Sequence, residues 1–288
     1  MRTFYYVHTG HRIGLDRFRR AAAILKDLDD ENITLLCSDF RIAQIAEDFG
    51  VKNCVGLDVV RNIPQISHHG DELLFDSDEA NPIMLDDMRN YFSTFIKISD
   101  DKEYIKDKNE LLISPYLEGK EICNAYAIDD IYFSENKKSI NISYFFGDDD
   151  YEKDLEKNID ILENIDANLQ LGFYYFLDYE ESLKEKFSSF TEFDEYEEMI
   201  LKTDILITSS PQAVLESLAS SGRPIYLKRE DYSDNFDEMF RNLNIPIISN
   251  YNKTQLEETV KTINNNKYKK IGQNGNKITK FIKENLNL

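Results

Sequence analysis

Two adjacent serines, Ser209 and Ser210, stand directly before Pro211, and a lone carboxylate, Glu216, follows six residues after Ser210. Their setting is the stretch Thr203–Arg229. Ile205, Leu206 and Ile207 form the apolar run of a buried parallel strand. Proline suits the first position of a helix. Ala213, Val214, Leu218 and Ala219 give that helix an apolar face. Gly222 ends it, and Ile225–Leu227 starts the next strand. The serines therefore sit where free backbone N–H groups and the positive end of a helix point outward, which is a natural anion site. A helix start that can hold phosphates, with an acid nearby to accept from hydroxyls, suits a nucleotide-sugar. Glu216 is expected to direct its carboxylate at such a ligand. The same residues also make an ordinary strand–helix–strand unit capped by Ser210.

A second cluster lies near the N-terminus, in the loop His8–Gly14. Gly10 and Gly14 allow a tight turn and close approach to a ligand, and a histidine there, His11 above all, has the chemistry of a general base near neutral pH. Arg12, Arg17, Arg19 and Arg20 follow in one short stretch, beside His8 and His11. In an acidic chain such a concentration of cations is expected to face an anion. A surface turn followed by a solvated helix face would look the same.

A third cluster is Gly147-Asp148-Asp149-Asp150. Consecutive side chains diverge, so three adjacent acids do not converge on one magnesium ion. One aspartate capping the next helix is the simpler reading, while the Gly147 N–H is free to approach a sugar or phosphate. Asp76 and Asp78 close a strand in acids; either could orient a substrate, although a solvated turn is the plainer assignment. Phe173-Tyr174-Tyr175-Phe176 reads as strand and core.

The composition limits what these clusters can serve. The chain has 288 residues, 41% of them hydrophobic and 12% aromatic, and a net charge of −20. That charge argues against broad binding of nucleic acid or anionic membranes. No apolar run reaches the ~20 residues of a membrane span. Cys37, Cys54 and Cys123 are scattered, without metal-ligand spacing, and read as reduced residues of a cytoplasmic protein. No G-x-S-x-G, G-x-x-x-x-G-K, H-E-x-x-H or G-x-G-x-x-G is present.

The elements that must position the clusters alternate between strand and helix. Strands are expected near residues 4–8, 33–37, 54–57, 72–76 and 94–98, and again near 143–146, 169–175, 205–207, 225–227 and 245–248. The stretch 99–138 gives no clear pattern. Alternation in both halves predicts an α/β protein with parallel sheets and helices on both faces. The expected organisation is a Rossmann-like domain at 1–135, a second at 136–268, and a C-terminal helix in 269–288 that crosses back to the first. Ligands of such sheets bind at the carboxyl ends of the strands.

On these residues the chain resembles the GT-B superfamily. Ile207–Pro224 is similar to the donor-nucleotide motif of the peptidoglycan N-acetylglucosaminyltransferase family and of the UDP-sugar hydrolase of pseudaminic-acid biosynthesis. There a small residue precedes the helix start beneath the phosphates, and a glutamate six residues on holds the ribose. Ser210 and Glu216 have that spacing, and Gly222-x-Pro224 matches the turn into the next strand. The hydrolase pattern also covers Phe145–Asp150 and the N-terminal loop. It departs there: G-x-G-H-x-x-R becomes Gly14-Leu15-Asp16-Arg17-Phe18-Arg19-Arg20, with Asp16 for glycine and Arg17 for histidine, and Asp148 replaces a second glycine after Gly147.

The resemblance implies two Rossmann-like domains facing a cleft, a UDP-linked sugar as ligand, and hydrolysis or transfer at the anomeric carbon, in surface-glycan or sialic-acid-like sugar biosynthesis. Neither a metal nor another cofactor is expected. The second domain would hold the nucleotide through Gly147, Asp148, Ser209, Ser210 and Glu216. The first would present Gly10, Gly14 and a base, His11 or Asp16, with Arg17 and Arg20 offsetting phosphate charge. The alternative it leaves open is a binding or scaffold protein that has kept the fold and lost the base.

Overall fold

The computed structural model describes residues 1–29, 32–79 and 81–288. The chain divides into two compact units. One comprises Met1–Gly10, Arg17–Asp129 and Gln273–Leu288, the other His11–Asp16 and Asp130–Gly272.

In the first unit β1 (Thr3–Val7) is followed by α1 (Asp16–Leu28, whose first residue is grouped with the second unit), β2 (Ile33–Cys37), α2 (Phe40–Ile45), β3 (Cys54–Gly56) and α3 (Ile63–Ile66). Then come β4 (Glu72–Asp76), α4 (Pro82–Tyr91), β5 (Thr94–Ile98), β6 (Leu111–Ser114) and β7 (Ile122–Asn124). All seven strands are parallel, in the order β3-β2-β1-β4-β5-β6-β7. Every residue of β1 is buried, as a parallel sheet covered on both faces requires. Phe4, Tyr6, Leu36, Leu73, Phe75 and Phe95 make the core on one face. The strands β6 and β7 fall in the stretch 99–138, for which no clear pattern is legible. They are three or four residues long and separated by charged turns, too short for a period to show.

The second unit runs β8 (Ile140–Phe145), α5 (Asp154–Lys157), β9 (Asn168–Gln170), α6 (Leu177–Lys184), β10 (Phe190–Thr191), α7 (Tyr196–Lys202), β11 (Thr203–Thr208) and α8 (Pro211–Ala219). It continues with β12 (Arg223–Leu227), α9 (Asp237–Asn242), β13 (Ile247–Ile248) and α10 (Lys253–Thr262), and α11 (Gly275–Asn285) lies in the closing segment of the first unit. The sheet order is β10-β9-β8-β11-β12-β13, again all parallel. Each sheet thus grows outward in two directions from its first strand. The reversal points lie between β1 and β4 and between β8 and β11, and loops that leave the carboxyl ends of those strands are where such sheets bind ligands.

The strand expected over residues 169–175 stops at Gln170. Gly172 is the reason. A Cβ at this position would lie 2.9 Å from the Asp148 Cα and 2.7 Å from the Tyr175 ring. The backbone after β9 therefore packs onto the loop after β8 instead of extending along the sheet, and the Tyr174 N–H donates to the Asp148 carbonyl at 2.8 Å. Tyr174 and Tyr175 are buried in this turn, whereas Phe176 is 52% exposed.

Candidate functional site

The start of α8 is built as its sequence suggests. Ser210 is the N-cap, with extended backbone, and its Oγ accepts from the Ala213 N–H at 3.0 Å. Pro211 has no N–H to leave unsatisfied. The Gln212 N–H is thus the first N–H of the helix, and it donates to Asp16 Oδ2 at 3.1 Å, while the Ser210 hydroxyl donates to Asp16 Oδ1 at 2.6 Å. A carboxylate therefore sits on the positive end of this helix, held through both oxygens. The helix has no acid of its own in its first turn. Ser209, fully buried just after β11, has a hydroxyl without a hydrogen-bond partner among the described residues.

The loop after β8 lies across the reversal point from Ser209, whose N–H donates to the Phe145 carbonyl. Gly147 has φ +137°, a backbone state that L side chains rarely adopt. The three aspartates diverge. Asp148 lies against Phe173, whose N–H is 3.4 Å from its Oδ1. Asp150 accepts from the Asp154 and Leu155 N–H groups at 2.7 and 3.0 Å and from the Tyr179 hydroxyl, so it caps α5. Asp149 is buried with its Oδ2 3.2 Å from Arg229 Nη2, but the guanidinium spends its fork on Asp231. Burial pushes the Asp149 carboxyl up to about 6; the pull of Arg229 does not offset it, and Asp148, Asp231 and Asp16 add to it. Among the described residues no group of three or more His, Cys, Asp or Glu side chains is arranged to hold a metal ion.

The segment His11–Asp16 is grouped with the second unit, not with the strand it follows. The contacts explain why. His11 stacks on Phe176 with centroids 5.4 Å apart and planes 11° apart, and its ring lies 5.0 Å from that of Tyr174. Arg12 lies over the Tyr151 ring and donates to Glu152 at 2.7 Å. Gly14, at φ +74°, passes so close to Asp149 that a Cβ would be 3.1 Å from its Oδ1. Asp16 completes the segment on α8.

Glu216, expected to face a nucleotide, is packed within the second unit. It is 2% exposed. It accepts from the Tyr196 hydroxyl at 2.6 Å and from Gln212 Nε2 at 2.9 Å. Every residue from Pro211 to Leu218 is buried, so no face of α8 is left for a solvated acid. Glu216 fixes the side chain of the residue whose N–H holds Asp16.

The remaining candidates lie in the first unit. Arg20 is buried and forks onto Asp76, with Nε–Oδ2 2.6 Å and Nη2–Oδ1 2.5 Å, while Nη1 donates to Asp100 at 2.5 Å. Arg17 donates to Asp78 at 3.1 Å, and His8 Nδ1 lies 3.1 Å from the same carboxylate. His8 first, then Arg17, hold the Asp78 carboxyl below the usual range. Gly10 has φ +143° and open space where a Cβ would stand. Asp76 is fully buried rather than solvated. Lys97, at the same end of the sheet and overlooked in the sequence, is buried; its Nζ donates to the Ser77 carbonyl, and burial pushes its ammonium down to about 8. A lysine in an apolar strand context, T-F-I-K-I, was the available signal.

No protein-family model and no curated protein matches the sequence. Solved structures do match. The UDP-GlcNAc 2-epimerase of Methanocaldococcus jannaschii, in complex with UDP-GlcNAc and UDP, superposes with a TM-score of 0.63 at 13% identity, covering 99% of each chain. The chain has the GT-B fold. Alr3699/HepE of Anabaena, in complex with UDP and glucose, gives 0.60 at 11% identity over 98% of this chain and 92% of that one. MurG of Acinetobacter baumannii gives 0.53 at 9% identity over 99% and 100%. Among the described residues of this GT-B chain no helix is long and apolar enough to cross a membrane.

Two stability predictions arise from the buried acids. Glu216→Ala leaves the Tyr196 hydroxyl and Gln212 amide without their charged acceptor, so it should lower the unfolding free energy by about 2–3 kcal/mol, read by urea denaturation; a variant as stable as the parent would contradict the contacts. Asp149 keeps its proton to a higher pH in the folded chain than in the unfolded one. Its contribution is fully present below about pH 4 and is lost as pH rises through about 6, a fall of about 2–3 kcal/mol. Urea titrations from pH 4 to 7 should show a shallower decline in Asp149→Asn than in the parent; parallel curves would show that Asp149 titrates normally.

Proposed function

We propose that the second unit binds the diphosphate of a UDP-linked sugar at the start of α8, and that the protein hydrolyses or transfers the sugar at its anomeric carbon. The observation that carries the reading is the carboxylate of Asp16 on the Ser210 hydroxyl and the Gln212 N–H. This helix start holds an oxyanion, and its donors suit a phosphate oxygen equally well. The solved structures similar to this chain include two whose bound ligands contain UDP.

In this reading Ser209, Ser210 and the first N–H of α8 receive the phosphates, and Gly147 and Asp148 border them from the neighbouring loop. Glu216 acts through Gln212 as a positioning residue, in addition to any contact with the ribose. His11 is the base. It lies in a wall of aromatic rings, a surface that suits the apolar face of a sugar, and it would take the proton of a water or acceptor hydroxyl as the anomeric C–O bond breaks and UDP leaves. The helix end stabilises the departing diphosphate. Gly10 and Gly14 give the loop its path. Arg17 and Arg20, each tied to carboxylates, hold the strand ends of the first unit in place. Surface-glycan or sialic-acid-like sugar synthesis is the setting we propose. A binding-only protein is the competing reading, favoured by the engagement of Asp16, Arg17 and Arg20 with other side chains.

Calorimetry with UDP, and assays of UDP release from UDP-sugars with and without sugar acceptors, separate these. UDP should bind, and His11→Asn should lower turnover by about 10²–10⁴-fold with UDP affinity nearly unchanged. Binding without turnover by the parent protein would favour the binding-only reading. Absence of UDP binding would remove both.

A further inference from the structure

We propose that Asp16 is a built-in competitor for the anion site at the start of α8, so that a nucleotide diphosphate binds only when this carboxylate leaves. The inference rests on the function proposed above and adds the residue that sets its affinity. Three observations carry it. The carboxylate takes two donors of the helix start, the Ser210 hydroxyl at 2.6 Å and the Gln212 N–H at 3.1 Å. Ser210 also caps Ala213, and Pro211 contributes no donor, so the first turn has little left to offer a second anion. Finally, the hydroxyl of Ser209, the residue before the cap, is fully buried and has no hydrogen-bond partner among the described residues, so a donor next to the helix start is unused.

Charge makes the competition strict. Two anions do not share one helix end, since each would raise the energy of the other in a buried setting. Asp149, also buried, already lies close enough for the Asp16 charge to push its carboxyl upward. A diphosphate arriving with Asp16 in place would meet both acids. Asp16 is the first residue of α1 and only partly buried, so withdrawal would take its carboxylate toward solvent. The apparent affinity for the diphosphate is then the intrinsic affinity reduced by the fraction of molecules with Asp16 withdrawn. In the resemblance drawn from the sequence this position is a glycine, which has no carboxylate to compete.

The test is calorimetry on the full chain with UDP and with inorganic pyrophosphate, comparing the parent with Asp16→Ala and Asp16→Asn. Asp16→Ala should bind both probes at least about tenfold more tightly, as when a competent state held near a tenth becomes dominant. Asp16→Asn should fall between, since its amide keeps one acceptor and loses the charge. If Asp16→Ala does not fold, Asp16→Asn carries the comparison. Without ligand the variants should melt no higher than the parent, yet gain more from added UDP, a pattern that simple destabilisation does not produce. Parent and variants binding UDP equally, or the variants binding it more weakly, would overturn the inference and leave the nucleotide reading intact. No binding of either probe by any of the three would overturn both.

Discussion

Asp16 reaches α8 from 194 residues away in sequence, and its two hydrogen bonds close the start of the most buried helix in the second unit. Much else in that unit is arranged around this contact. Glu216 fixes Gln212, whose N–H is one of the two donors. Gly14 lets the segment pass Asp149, and Gly172 lets the turn after β9 lie against the loop after β8. His11 is brought among Tyr174, Tyr151 and Phe176 by the same segment. The oxyanion at the helix end and the aromatic rings around His11 are the features on which the proposed sugar-nucleotide site rests.

The two units solve the same electrostatic problem differently. At the reversal point of the first sheet, cations and anions are paired: Arg20 with the buried Asp76 and with Asp100, and Arg17 with Asp78, which His8 also approaches. Buried pairs of this kind lose much of their Coulomb gain to desolvation, and breaking one leaves an uncompensated charge. Their effect is to fix the strand ends. At the reversal point of the second sheet the acids are only partly balanced, by Arg229, and the burial of Asp149 shows in its raised carboxyl. On the function proposed here, a diphosphate arriving at this acidic site would meet that repulsion, and withdrawal of Asp16 would relieve part of it.

Most of the α/β architecture was legible in the sequence. The unit from β11 to β12 was plain because every local signal agreed: an apolar strand, a serine cap, proline at the first helical position and glycine at the end. The unusual backbone at Gly14 and Gly147 followed from glycine itself. That one of the three aspartates after Gly147 caps the next helix was also readable, though not that it is Asp150. The rest was hidden for definite reasons. Strands β6 and β7 are too short to show a period, and the aromatic run from Phe173 to Phe176 looked like a strand because the close approach of Gly172 to another loop is a tertiary constraint. The contact of Glu216 with Tyr196 was not foreseen, because helical periodicity does not reveal that a partner hydroxyl waits on the covering helix. The contact of Asp16 with α8 leaves no local trace at all.

The account turns on what occupies the start of α8 when a nucleotide is present, and a crystal structure of the full chain with UDP reads this directly. The diphosphate should lie within hydrogen-bonding distance of the Gln212 N–H and the Ser210 hydroxyl, with the Asp16 carboxylate withdrawn from both. UDP bound at another place, or at this one with Asp16 still holding its two donors, would contradict the account.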